Sequence, residues 1–116
     1  SQKEQMMREF ATHYNELLNL LTADAGQVIL MEPFIFPHPE EYQTWIPYVH
    51  TMSDIIRQLS VRFGLPFLPL HNYFNKEATQ LGFDAITTDG IHLTLYGHKL
   101  LAEKLFPLLQ SIDNNP

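Results

Sequence analysis

The sequence predicts an α/β protein with a parallel sheet between helix layers. Two observations carry that class. Segments with apolar residues at three- and four-residue steps alternate with short, continuous apolar runs rich in β-formers. The resulting order is helix, strand, helix, strand, short helix, helix, which is the signature of βαβ units. A third observation limits the class. Only two strands are legible in 116 residues, and two parallel strands leave open sheet edges with unpaired backbone groups. The chain is therefore expected to form part of a larger α/β domain, without internal boundary or repeat.

The first helix is expected from about Gln2 to Ala23, because Met7, Phe10, Tyr14, Leu17, Leu18 and Leu21 form one apolar stripe. Gly26 suits its C-terminal punctuation. Val28 to Met31 reads as a strand buried on both faces, ended by Pro33. Pro33, Pro37 and Pro39 then forbid regular helix. The apolar residues Phe34, Ile35 and Phe36 in this loop either fold back on the core or form the apolar wall of a ligand cleft.

A second helix is expected from about Thr44 to Phe63, with Trp45, Val49, Met52, Ile56, Leu59 and Phe63 on one face. Pro47 requires that it start close to Trp45, and Gly64 follows its end. "LPFLPL" reads as a second strand, limited by Pro66 and Pro69, with His71 and Asn72 at its end. "HNYFNKEATQLG" is a short helix closed by Gly82, and "FDAITTDGIH" a loop. Thr94 suits the N-cap of the last helix. That helix runs to about Ile112, with His98, Leu101, Leu105, Leu108, Leu109 and Ile112 inside. The tail "DNNP" is expected to fray.

Composition excludes several functions. The net charge of −6 and pI of about 5.3 argue against a nucleic-acid binder or a polybasic membrane anchor. No apolar run approaches the ~20 residues of a membrane span. Cysteine is absent, so disulfides, thiolate metal sites and cysteine nucleophiles are excluded, while the compartment stays open.

The chemistry lies in "TTDGIHLTLYGH". A histidine serves as general base at neutral pH because its unperturbed pKa is ~6.5. One ring nitrogen must face the substrate while an acceptor holds the other and fixes the tautomer. Asp89 can be that acceptor for His92, and Gly90 lets the backbone turn tightly enough to bring them together. A metal site from Asp89, His92, His98 and His71 is disfavoured, because His92 and His98 stand six apart rather than the four of a helical metal pair. His98 is expected to be a buried structural residue and Gly97 a point of close packing. Glu32, at the end of the first strand, either orders the catalytic loop or is solvated. His13, His38 and His50 are expected at the surface.

"DGIHLTLYGH" followed by a C-terminal helix resembles the final block of the SGNH (GDSL-type) serine hydrolases. "FATHYNELLNLLTADAGQVILMEPFIFP" and "LSVRFGLPFLPLHNYFN" are similar to the helix, strand and loop units that precede it, so the resemblance covers essentially the whole chain. It implies a flavodoxin-like three-layer α/β/α sandwich, of which this chain supplies roughly the C-terminal half. It implies ester hydrolysis without a cofactor or metal, Asp89 as triad acid and His92 as triad base. The apolar residues Phe34, Ile35 and Phe36 favour short acyl esters or acetylated sugars as substrates.

The chain departs from that family at the nucleophile. Its serines are Ser1, Ser53, Ser60 and Ser111; none follows Gly-Asp, and no G-x-N-D block is present. Joint absence of the family's first three blocks, which carry G-D-S, an oxyanion-hole Gly and G-x-N-D, is what a cut shortly after the third would leave. The isolated chain is expected to be inactive, completed by a missing N-terminal half. The competing reading is a non-catalytic module that pairs across its open sheet edge with a copy of itself or a partner. A degenerate relative that keeps the D-x-x-H for structure is the third.

Overall fold

The computed structural model describes residues 1–24 and 27–113. Gly26 and the last three residues of "DNNP" lie outside them. The elements are α1 (Gln2–Asp24), β1 (Leu30–Met31), a 3-10 turn (Glu40–Thr44), α2 (Ile46–Phe63), β2 (Phe67–Leu68), α3 (His71–Leu81), α4 (Phe83–Ile86) and α5 (Leu95–Asp113). The α/β class is as expected. The chain forms two compact units. One comprises Ser1–Pro33 and Trp45–Pro69, the other Phe34–Thr44 and the chain from Leu70 onward.

In the first unit, α1, β1, α2 and β2 bury one cluster. Leu18, Leu30, Ile56 and Leu59 lie at its centre, with Phe10, Tyr14, Phe63 and Phe67 packed around them. β1 and β2 are parallel, with Leu30 opposite Phe67 and Met31 opposite Leu68. The Leu30 and Glu32 N–H groups donate to the Pro66 and Leu68 carbonyls, each at 2.9 Å. Both strands are two residues long, shorter than the apolar runs suggest. Pro66 and Pro69 bracket β2 and cannot donate to a ladder. β1 is not buried on both faces: Leu30 is buried but Met31 is 46% exposed. No third strand pairs with this sheet among the described residues.

α2 begins as the prolines dictate. Trp45 is its N-cap and Pro47 lies in the first turn, where no backbone N–H is needed. Gly64 closes it in the left-handed conformation at φ +66°. Trp45 itself points outward, as do Leu17 and Leu21 of α1, so the apolar stripes are broader than the faces they bury.

In the second unit, Phe36, Leu70, Phe74 and Ile86 are the largest fully buried side chains. Phe36 meets Phe83 edge-on at 6.2 Å, and Phe34 lies 4.7 Å from Phe74. The prolines exclude helix only as far as Pro39, after which the 3-10 turn forms. Part of the stretch expected as a loop, Phe83–Ile86, is the short helix α4.

His71 does not end a strand. It opens α3 as a buried residue, and its Nδ1 accepts the Ile35 N–H at 3.3 Å. His98 is likewise corrected: it is exposed rather than buried. Gly97 sets the phase of α5, because a Cβ there would stand 2.5 Å from the Ile86 carbonyl oxygen. The face carrying Gly97 and the buried Leu100 therefore turns inward, and a residue one position on is rotated ~100° away. Leu109 also faces outward.

Candidate active site

Asp89 and His92 sit on a tight loop in the second unit, between α4 and α5. Its base is closed by an antiparallel bridge between Thr87 and Leu93. On the far side, Thr94 starts α5 as an N-cap, its Oγ1 accepting the Gly97 N–H at 3.0 Å. At the turn, Gly90 adopts φ +95°, which costs a residue without Cβ little. It is also wedged in place, since a Cβ there would overlap the His38 carbonyl oxygen and lie 2.8 Å from the Tyr42 ring. The Gly90 carbonyl accepts the Phe36 N–H at 3.1 Å.

The turn folds the aspartate back on the histidine. Asp89 Oδ1 accepts the N–H groups of Ile91 at 2.9 Å and His92 at 2.7 Å. Its other oxygen, Oδ2, lies 2.6 Å from His92 Nδ1. A carboxylate only accepts, so Nδ1 carries a proton, and in the neutral ring Nε2 then keeps its lone pair. The pair is open to solvent, with 76% of the His92 side chain and 48% of the Asp89 side chain exposed.

The hydrogen bonds hold Asp89 well below the usual carboxylate range, at about 2. The His92 N–H contributes most, then the His92 ring, then the Ile91 N–H. A carboxyl group whose pKa falls on folding stabilises the fold above its ordinary value, and that contribution is lost as pH falls through about 2. The Asp89 carboxyl carbon, followed by NMR, is expected to titrate near that value. His92→Ala removes the ring but keeps both backbone donors, so the midpoint rises only part of the way. Full return to the ordinary range would show that the backbone turn contributes nothing.

The Phe34–Phe36 loop is held from α3. The Ile35 N–H donates to His71, and the Ile35 carbonyl accepts from Asn75 Nδ2 at 3.1 Å. Ile35 and Phe36 are buried in the second unit, while Phe34 stays partly exposed. Glu32 is not freely solvated. Within the first unit it accepts from the buried Ser53 hydroxyl, and Arg57 Nη2 lies 3.7 Å away. His13, His38 and His50 are exposed. Among the described residues no three His, Asp or Glu side chains converge as metal ligands would.

The serines sit where the sequence places them. Ser60 is buried in α2 and donates to the Arg57 carbonyl at 2.6 Å. Ser111 lies in the last turn of α5, roughly 25 Å along the helix from the end that His92 adjoins, at ~1.5 Å per residue. Ser1 Oγ accepts the Glu4 N–H at the start of α1.

Two solved structures share this architecture. A protein from Parabacteroides merdae described as a GDSL-like lipase matches with a TM-score of 0.77 at 24% identity, over 84% of this chain and 47% of its own. The fold is hydrolase-like. An α/β hydrolase enzyme from the metagenome of Lake Arreo, Spain, matches with a TM-score of 0.74 at 20% identity, over 87% of this chain and 46% of its own. The chain thus spans just under half the length of either hydrolase. At these identities the likeness is one of fold. No family model matches the sequence, and a search of curated proteins found no match.

Sequence reasoning missed three contributors to this loop. Tyr42 and His38 confine Gly90 from a distant segment, and no local pattern signals that. Thr87 bonds inside the turn, and the T-T-D-G string, rich in residues whose side chains close turns on their own backbone, was the available signal.

Proposed function

We propose that Asp89 and His92 are the acid and base of an SGNH-type serine ester hydrolase with a flavodoxin-like three-layer α/β/α fold. This chain then supplies roughly the C-terminal half of that domain, and residues outside these 116 supply the nucleophile and the oxyanion donors. The observation that carries the reading is the 2.6 Å contact from Asp89 Oδ2 to His92 Nδ1. It leaves Nε2 as a free, solvent-facing base on a residue whose tautomer is fixed. In such a site Nε2 takes the proton of a serine hydroxyl as the oxygen attacks an ester carbonyl. The ionised Asp89 stabilises the imidazolium that forms. The imidazolium then protonates the leaving alcohol, and the same steps with water release the acid. The substrate is a small ester of apolar acyl character. Phe34 offers it the partly exposed ring of an apolar wall that Ile35 and Phe36 back from the core.

The nucleophile is placed outside the chain because none of its serines follows Gly-Asp and three of the four are committed or remote. Ser53 and Ser60 are buried and bonded, and Ser111 is at the wrong end of α5. The purified 13.5 kDa chain is expected to take up no fluorophosphonate probe by intact mass and to give no burst on an activated ester. An adduct on any of its four serines would overturn the external nucleophile. Within a protein or complex that supplies the serine, labelling is expected and should fall by about 10⁴-fold with His92→Ala. Undiminished labelling there would sink the assignment of His92 as base.

A second reading has one observation behind it. The sheet has two strands among the described residues, which suits pairing with a self-copy or partner across the sheet edge. Sedimentation distinguishes them: a stable monomer counts against pairing between copies.

A further inference from the structure

We infer that Thr87 is a positioning residue for the Asp89–His92 pair, because its one buried hydroxyl ties together the two backbone groups that shape the turn. Thr87 Oγ1 donates to the His92 carbonyl at 2.6 Å and accepts the Gly90 N–H at 2.8 Å. A hydroxyl has one proton to give and lone pairs to receive with, and here both capacities are used inside a single turn. Thr87 and Gly90 are both buried, so water does not replace the bond between them cheaply. The Thr88 N–H reaches the same His92 carbonyl at 3.0 Å, which completes a ring around the Thr87 side chain.

The consequence concerns Asp89. The Ile91 and His92 N–H groups that its Oδ1 accepts belong to the segment pinned at Gly90 and at His92. Released from Thr87, that segment can rotate its amides away, and the carboxylate loses the donors that aim it at the ring. Thr87 touches neither substrate nor reacting atoms, so it acts through the pair. The role rests on the reading of Asp89 and His92 as acid and base. Its test follows the geometry of the pair rather than turnover, so the two can fail separately.

The test uses the 116-residue chain and three variants, with the Asp89 carboxyl titration as the common readout. Thr87→Val removes the hydroxyl at nearly constant shape and is expected to raise the Asp89 midpoint from about 2 by one unit or so. Thr87→Ser keeps the hydroxyl and should titrate as the parent does. Thr94→Val is the control for a merely structural hydroxyl in the same region, since Thr94 Oγ1 bonds the Ala85 carbonyl and the Gly97 N–H. It should lower stability without moving the midpoint. An unshifted Thr87→Val, or a Thr94→Val that shifts as far, overturns the proposal. If Thr87→Val does not fold, hydrogen exchange of the parent chain decides: the Gly90 amide should exchange slowly, and exchange at the unprotected rate overturns it.

Discussion

Gly90→Ala is expected to dismantle the Asp89–His92 turn. Two costs add. The backbone at φ +95° is strained for any residue with a Cβ, by about 1–3 kcal/mol. The new methyl also overlaps the His38 carbonyl oxygen. That atom is backbone, so no rotamer change relieves the overlap. The 3.1 Å bond from the Phe36 N–H to the Gly90 carbonyl is strained with it. The expected loss by urea denaturation exceeds about 2 kcal/mol, with the Asp89 carboxyl returning towards its ordinary range. Gly64→Ala separates the two costs. Gly64 has φ +66°, but nothing lies within 4 Å of where an added Cβ would stand, so only the conformational cost of ~1–2 kcal/mol applies. Equal losses at the two glycines would mean that the His38 and Tyr42 contacts do not confine the turn.

Phe36→Ala is expected to cost about 3–5 kcal/mol, the usual penalty for emptying a fully buried aromatic site. Phe36 has no exposed surface, and its ring meets Phe34, Phe74 and Phe83. Against a total stability of roughly 5–15 kcal/mol for a small domain, that loss unfolds a large share of molecules under mild denaturant. Phe34→Ala, at a partly exposed neighbour, is expected to cost clearly less. The check is the urea midpoint of each variant at unchanged slope. A Phe36→Ala loss no greater than that of Phe34→Ala would remove the distinction between core and wall in this loop.

Local chemistry was legible in the sequence wherever one residue settles one backbone choice. Pro47 placed the start of α2, Gly64 its end, and Thr94 the cap of α5. The D-G-I-H spacing brought Asp89 onto His92, because a carboxylate three residues before a ring reaches it through one tight turn. The alternation of apolar patterns indicated the α/β class. Tertiary structure decided what depends on residues far apart in the chain. It limited the strands to two residues each, since pairing needs a partner and β2 is bracketed by prolines. It buried His71 against the Ile35 amide and turned His98 out, because contact at Gly97, not apolar periodicity, sets the phase of α5. It also closed His38 and Tyr42 over Gly90. Periodicity records which residues can be buried; only the partner surface selects which of them are, and no sequence window contains that partner.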